Sequence, residues 1–328
     1  MSQVRRRRFL IATGALLAAP WKAVVAQGTE HARVGYLSLG SKTAALWPPL
    51  LLLALRELGW IEGRNLTFEA RFAEGRREQT PALMSDLVQQ GVRVIVTNNF
   101  LDVETAQRVN RLIPIVALAV TDPVGAGFAK SLAHPGGNVT GVLWGDPSFT
   151  GKSMQLLKEV LPATRRVGGI YPAELPDIER YLKAAEVAAR QLGITYHRFP
   201  IRRPEDVEAA LIAAKNMKLD ALRITNSGTV AAAEAQIISF SASNRIPTSF
   251  TVSSSVERGG LMSYSPNLSE IASRGAALVD KILKGAKPGD LPFEYPTRYE
   301  LVINLKTARQ LGIKVPQLML VRADRVIE

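Results

Sequence analysis

From Arg33 onward the chain alternates short β-branched apolar runs with stretches of helical spacing, and it does so twice. Residues 34–38, 66–71, 92–97 and 113–120 read as strands. Helical spacing lies between them, around 50–58, 81–90 and 103–110, with Gly59 and Gly91 placed as C-terminal stops. Strand, helix and strand in repetition predict a parallel sheet covered on both faces. After a Gly/Pro-rich break at Pro135-Gly136-Gly137 the pattern restarts. Strands are expected at 166–171, 194–200, 221–225 and 247–250, and helices at 178–192, 205–214 and 230–243, with Gly193 stopping the first helix as Gly59 does earlier. A strand at 261–264, a helix at 268–283, a Pro-punctuated crossing from 287 to 296, a strand at 300–305 and a short helix near 307–311 complete the chain. At 328 residues it is long enough for two lobes, each with its own core.

The first residues read as an export signal. Arg5 to Arg8 precede an apolar run from Phe9 to Ala19, and Val24-Val25-Ala26 is a small-x-small cleavage pattern. That run is too short for a transmembrane helix. Arg6-Arg7-Arg8-Phe9-Leu10 also has the form of a twin-arginine signal, although four arginines serve general secretion equally. Five of the 41 lysines and arginines fall in residues 1–26, where there is no acid, so the rest carries +7 instead of +12, without a basic stripe. Nucleic acid is therefore a poor partner. The absence of cysteine excludes a disulfide framework, a thiolate metal site, a cysteine nucleophile and a lipid-anchoring cysteine. An exported chain with no anchor and no later apolar span needs an enclosed compartment, and the bacterial periplasm fits.

In open α/β sheets, ligands sit at the carboxyl ends of the strands. Those positions hold Ser38-Leu39-Gly40-Ser41, Thr97-Asn98-Asn99 and Thr121-Asp122-Pro123 in the first half, then Tyr171-Pro172, Thr225-Asn226-Ser227 and Phe250 with Thr251 and the serines 253–255 in the second. Such an inventory hydrogen-bonds and stacks, but is poor in groups that do chemistry. Ser, Thr and Asn before a helix also serve as N-caps worth about 1 kcal/mol whatever the function. Asp122-Pro123 can equally cap a short helix from Val124, and Tyr171, Trp144 and Tyr264 can be cleft aromatics or core.

Other motifs fail on spacing. Gly145 to Ser153 resembles a phosphate-binding loop with one residue too many between its glycines, and Gly125-Ala126-Gly127 lacks the third glycine of a dinucleotide fingerprint, since Lys130 stands there. There is no nucleophile elbow. His31, His134 and His197 lack the spacing of a helical metal site. Asp146 and Glu174 cannot be paired from sequence, and Arg165-Arg166 and Arg202-Arg203 read as solvated faces. No catalytic, metal or cofactor constellation is expected.

Several motifs stand together in one order. They include Gly35-Tyr36-Leu37-Ser38, Leu55-Arg56-Glu57-Leu58-Gly59-Trp60, Glu62-Gly63-Arg64-Asn65-Leu66, Ala73-Glu74-Gly75-Arg76, Asp122-Pro123-Val124 and Pro135-Gly136-Gly137-Asn138-Val139-Thr140-Gly141. Gly260-Leu261-Met262-Ser263-Tyr264, Ile282-Leu283-Lys284-Gly285, Leu301-Val302-Ile303-Asn304-Leu305-Lys306-Thr307-Ala308 and Arg322-Ala323-Asp324-Arg325 continue the series. Together they resemble the substrate-binding proteins of ABC transporters, in the tryptophan/tyrosine-type (TrpX-like) group, from about Arg33 to the C-terminus.

The resemblance implies an α/β fold of the type I periplasmic-binding-protein kind: two Rossmann-like lobes with parallel sheets, joined by three hinge crossings. The lobes would be 31–143 plus 265–291 and 144–264 plus 292–328, with crossings near 141–147, 264–267 and 292–299. Cleft positions would be Ser38, Ser41, Thr97, Asn98, Thr121 and Asp122, with Tyr171, Asn226 and Tyr264 opposite. The loop containing Trp47-Pro48-Pro49 and the stretch Tyr171-Pro172-Ala173-Glu174-Leu175-Pro176 depart from the family pattern. The implied function is capture of a small polar or amino-acid-like solute, aromatic amino acids among the candidates, by lobe closure, with release to an ABC permease in the inner membrane. A monomer is expected. A sensory ligand-binding module and an enzyme on the same scaffold are the alternatives.

Overall fold

The structure is a computed structural model that describes residues 31–328 apart from Ala44, Pro176 and Ser227. The expected export signal at 1–26, and Ser227 at its strand end, lie outside the described residues. The chain begins with β1 (Ala32–Ser38), α1 (Trp47–Glu57), β2 (Leu66–Phe72), α2 (Thr80–Gln89), β3 (Val94–Thr97), α3 (Phe100–Val109), β4 (Ile115–Val120) and β5 (Val139–Leu143). Next come α4 (Ser148–Val160), β6 (Arg166–Pro172), α5 (Ile178–Gln191), β7 (Thr195–Ile201), α6 (Asp206–Asn216) and β8 (Ala221–Ile224). They lead to α7 (Gly228–Ala232), α8 (Glu234–Asn244), β9 (Thr248–Phe250), α9 (Ser253–Glu257) and β10 (Met262–Pro266). The last elements are α10 (Leu268–Leu283), β11 (Tyr299–Asn304), α11 (Leu305–Leu311), α12 (Gln317–Arg322) and β12 (Arg325–Ile327).

The first sheet has the order β2-β1-β3-β4-β5 and is parallel throughout. Its central strand β3 is buried at every position, as a strand covered on both faces must be. Alternate residues divide between two cores. Val34, Tyr36 and Val96 face α1 and α10, while Leu37 and Ile95 face α2 and α3. Helix α10, which follows the second sheet's β10, packs on this first sheet because its stripe of Ile271, Leu278, Val279 and Ile282 finds its partners here. Each such side chain contributes about 1.5–3 kcal/mol on full burial. Asn267 caps the helix by accepting from the Glu270 amide at 2.7 Å, and Trp60 Nε1 donates to Asp280 at 2.9 Å. Gly275 is required by a close approach, since a Cβ there would lie 2.3 Å from Leu118 Cδ2.

The second sheet has the order β12-β11-β10-β9-β8-β6-β7. It is parallel from β10 through β7, as expected of a Rossmann-like lobe, and ends in β11, which runs antiparallel to β10 and carries β12 beside it. The chain re-enters this sheet from the cleft end after α10, so it must run against β10. Helices α4 and α5 cover one face and α6 and α8 the other.

Other differences have local causes. The stretch expected as break and crossing contains a full strand, β5, closing the first sheet at Val142, and the failed phosphate-loop motif lies within the crossing and α4, with Gly151, Lys152 and Ser153 inside the helix. Pro48 and Pro49 occupy the first turn of α1, where a missing N–H costs nothing. The helix expected at 230–243 is two helices parted at Ala233. At the crossings, β10 continues to Pro266, two residues past the expected boundary, and the returning chain stays with β5 through Glu294, whose amide donates to the Gly141 carbonyl at 3.0 Å.

Candidate functional site

Sheet order brings the carboxyl ends of β1, β3 and β4 side by side. Ser38 is buried there and its Oγ accepts from the Gly40 amide at 3.1 Å. The loop after β1 is held from below by Asp102, whose carboxylate accepts from the Leu39 amide at 3.0 and 3.2 Å and from Asn99 Nδ2. Asn99 in turn caps α3, accepting from the Asp102 amide at 2.9 Å. Asp102 is fully buried, and burial pushes its carboxyl up to about 7 against the opposing bonds from Leu39 and Asn99. The Tyr36 hydroxyl donates to Asn98 Oδ1 at 2.9 Å, which orients that amide, while the Tyr36 ring packs between Phe68 and Phe72. Thr97 is fully buried, with no partner for Oγ1 among the described residues.

A β-bulge displaces the end of β4. Ala119 adopts a left-handed conformation (φ 59°) and the register with β5 shifts between Leu118 and Val120, re-aiming the half-buried Thr121 and Asp122. Asp122 Oδ1 accepts from the Gly125 amide at 2.8 Å. What it caps is a turn and not a helix, and a Cβ on Gly125 would lie 2.1 Å from the carboxylate. Ser41 stands apart from this group, sharing a 2.9 Å hydrogen bond with Thr43 in the outer loop.

In the second lobe β6 and β8 are neighbours, so Tyr171 and Asn226 share one rim. Tyr171 is buried against Ile178 and Leu182, and burial raises its hydroxyl. Asn226 is fixed from three sides: its amide donates to Thr251 Oγ1 at 2.9 Å, and Nδ2 reaches Ser255 Oγ at 3.2 Å and Glu234 Oε2 at 3.4 Å. Glu234 is itself buried and gripped by Arg258 and by Ser255 Oγ at 2.8 Å. Asn226 Oδ1 has no partner among the described residues. Opposite Asp122, burial raises the Asp177 carboxyl, Arg180 at 3.1 Å lowers it, and the charge of Asp122 in the other lobe adds to the rise.

Tyr264 belongs to an aromatic column at the crossings. Its ring stacks on Tyr299 at 5.7 Å, Tyr299 packs on Phe149 at 5.7 Å, and Phe149 meets the edge of Tyr181 at 6.0 Å. The Tyr181 hydroxyl donates to the Gly145 carbonyl at 2.9 Å. Gly145 needs its φ of 147° and its missing side chain, because a Cβ would lie 2.8 Å from the Tyr299 hydroxyl. The column ties together the three segments that pass between the lobes.

Sequence reasoning missed Asp102, Glu234 and Arg223, the last a fully interior arginine on β8. Asp102 carried one local signal, the Asn99-x-x-Asp102 spacing of a helix cap. A surface concavity of about 550 Å³, lined by Lys215, Lys218, Arg245 and Lys314, opens at the amino ends of the second sheet, away from these groups. Among the described residues no cluster of three or more acidic or histidine side chains is placed to hold a metal ion.

Two α/β lobes whose strand ends carry hydrogen-bonding side chains and whose connections cross together define a binding protein of the type I periplasmic kind. Residues 51–327 match the family model for ABC transporter substrate binding proteins, and the chain belongs to that family. A tyrosine-binding protein of Clostridioides difficile is 24% identical over 261 residues, covering 80% of this chain and 75% of that protein. Among solved structures, the ABC domain in complex with L-Trp from Streptococcus pneumoniae is similar, with TM-score 0.82, 25% identity and coverage of 91% of this chain and all of that one. A conserved domain protein of Vibrio cholerae gives TM-score 0.81 and 29% identity over 90% of this chain and all of that one. The matched family is that of substrate-binding proteins of ABC transporters, and two of these relatives are named for binding tyrosine or L-Trp.

Proposed function

We propose that this chain is the periplasmic solute receptor of an ABC importer, delivered by the signal in residues 1–26, and that it captures an amino acid with an aromatic side chain and releases it unchanged to an inner-membrane permease. The lobes in this proposal are 31–143 with 265–291, and 144–264 with 292–328. The observation that carries it is the pairing of two polar rims, Ser38, Thr97, Asn98, Thr121 and Asp122 on one lobe and Tyr171 and Asn226 on the other, in a chain related to tyrosine-binding and L-Trp-bound proteins. Ser41 and Tyr264 would act at the mouth and at the crossings. Asp122 suits an ammonium group, the hydroxyls and amides suit a carboxylate, and Tyr171 offers a ring face. Burying these groups unpaired is costly, so a solute that satisfies both rims favours the closed arrangement. The role requires no catalysis, and the chain acts as a monomer. No helix among the described residues is long and apolar enough to cross a membrane.

The test is a thermal-shift and calorimetric screen of tyrosine, tryptophan, phenylalanine, and non-aromatic amino acids. A true solute at a hundredfold excess over its Kd stabilises the fold by about 2.7 kcal/mol. Absence of any shift across amino acids with folded protein would overturn the proposal.

A further inference from the structure

Arg223 on β8 is 3% exposed and forms no ion pair among the described residues. Its Nη1 donates to Thr225 Oγ1 at 3.1 Å, and Nε reaches no acceptor. A guanidinium does not give up its proton inside a protein, so neutralisation cannot relieve the burial as it can for a lysine. An interior charge without a counter-charge is among the most costly arrangements a core can hold.

The groups around it repeat the same deficit. Strand register pairs Arg223 with Gly169 on one side and Ser249 on the other, so all three positions face the same way, and Ser249 Oγ has no partner. Gly169 leaves space that the Tyr196 hydroxyl fills, 1.8 Å from where a Cβ would stand, which puts it against the guanidinium: burial raises that hydroxyl and the adjacent Arg223 charge lowers it. Thr150 lies one turn before Met154, which clusters with Ala221 and Met262 of this same sheet face; its Oγ1 is buried and unpartnered. The carboxylates of α5 above this face, Glu179 and Glu186, are both taken by Arg198. A fixed cation with a spare N–H, ringed by hydroxyls that can each donate, is the complement of an anion.

We propose that Arg223 holds a small monovalent anion beneath the rim of the second lobe. The guanidinium extends along β8 toward Thr225, next to Tyr171 and Asn226, so the anion has two sources: the carboxylate of a captured solute, or a halide from solution. Only the first of these rests on the solute-capture proposal.

The experiment uses the full chain, wild type and the variants Arg223→Met and Arg223→Lys, with three readouts. These are calorimetry with L-tyrosine and with tyramine, which lacks the carboxylate; the Tm at constant ionic strength as chloride or bromide replaces gluconate; and anomalous diffraction from bromide-soaked crystals. If the solute supplies the anion, Arg223→Met weakens tyrosine binding by about tenfold or more, as loss of a charge-assisted contact does. Tyramine binding then stays unchanged and Arg223→Lys recovers part of the loss. If solution supplies it, the wild-type Tm rises with halide, a bromide peak stands against the guanidinium, and both disappear in Arg223→Met. The proposal is overturned if the wild-type Tm ignores halide and Arg223→Met discriminates tyrosine from tyramine as wild type does. A bromide peak without any effect on Tm, an adventitious ion only, overturns the halide arm. Should Arg223→Met not fold, the wild-type halide titration and Arg223→Lys decide. Should no amino acid bind wild type, solute capture fails while the halide arms still decide the site.

Discussion

Asp102→Asn tests whether a buried carboxyl supports the loop after β1. In the folded chain burial raises this group from 3.8 to about 7, so folding takes up a proton between those values. Its contribution to stability is therefore fully present below pH 3.8 and is lost as pH rises through 7. The rise corresponds to about 4 kcal/mol in all, of which about 3 kcal/mol falls between pH 5 and pH 8. Asparagine removes the titration and keeps an acceptor for the Leu39 amide. It also sets an amide against Asn99 Nδ2, at a cost of about 1 kcal/mol for the lost bond. At pH 5, where wild type has already lost about 1.7 of that 4 kcal/mol, the two proteins are expected to lie within about 1 kcal/mol of each other, and at pH 8 the variant is expected to be more stable by about 3 kcal/mol. Urea unfolding of both proteins at pH 5, 6, 7 and 8 measures the difference, in which every other titrating group cancels. A difference that stays constant across that range would refute the assignment of a raised pKa to Asp102.

Gly141→Ala places a Cβ 2.0 Å from the Ala117 carbonyl oxygen in the paired strand, where only backbone movement can make room. A loss of about 3 kcal/mol or more is expected by denaturant unfolding, with β4–β5 pairing failing first in hydrogen exchange. Tyr181→Phe removes the 2.9 Å bond to the Gly145 carbonyl while keeping the ring in the aromatic column. The expected cost is about 1–2 kcal/mol in unfolding free energy, together with a shifted ligand affinity if the column sets the resting angle of the lobes. Asp122→Asn keeps the oxygen that accepts from Gly125 and removes the charge, so the fold should keep its Tm within a degree or two while affinity for an amino acid falls about tenfold or more. Unchanged affinity in calorimetry would remove Asp122 from the proposed ammonium contact.

The alternation of β-branched runs with helical spacing was enough to expect two α/β lobes, because period and side-chain shape act locally on the backbone. The helix Leu268–Leu283 was legible to the residue, with its cap Asn267 and its wide apolar stripe. Strand β5 was harder to read, since Val139–Leu143 carries Gly141, a poor strand former whose value is its close fit against Ala117. Likewise, the proline pair of α1 reads as a loop until its place in the first turn is known.

Sequence alone set the number of lobes, the polar character of the strand ends and the family, since each depends on residue types at short spacings. Tertiary structure decided which of those ends stand together, and it gathered Asp102 beneath Leu39, Glu234 beneath Asn226 and Arg223 beneath Thr225. The physical reason is that a charge acquires its meaning from what surrounds it. Burial, the nearest counter-charge and the direction of a neighbouring hydroxyl are fixed by packing between strands that are far apart in the chain.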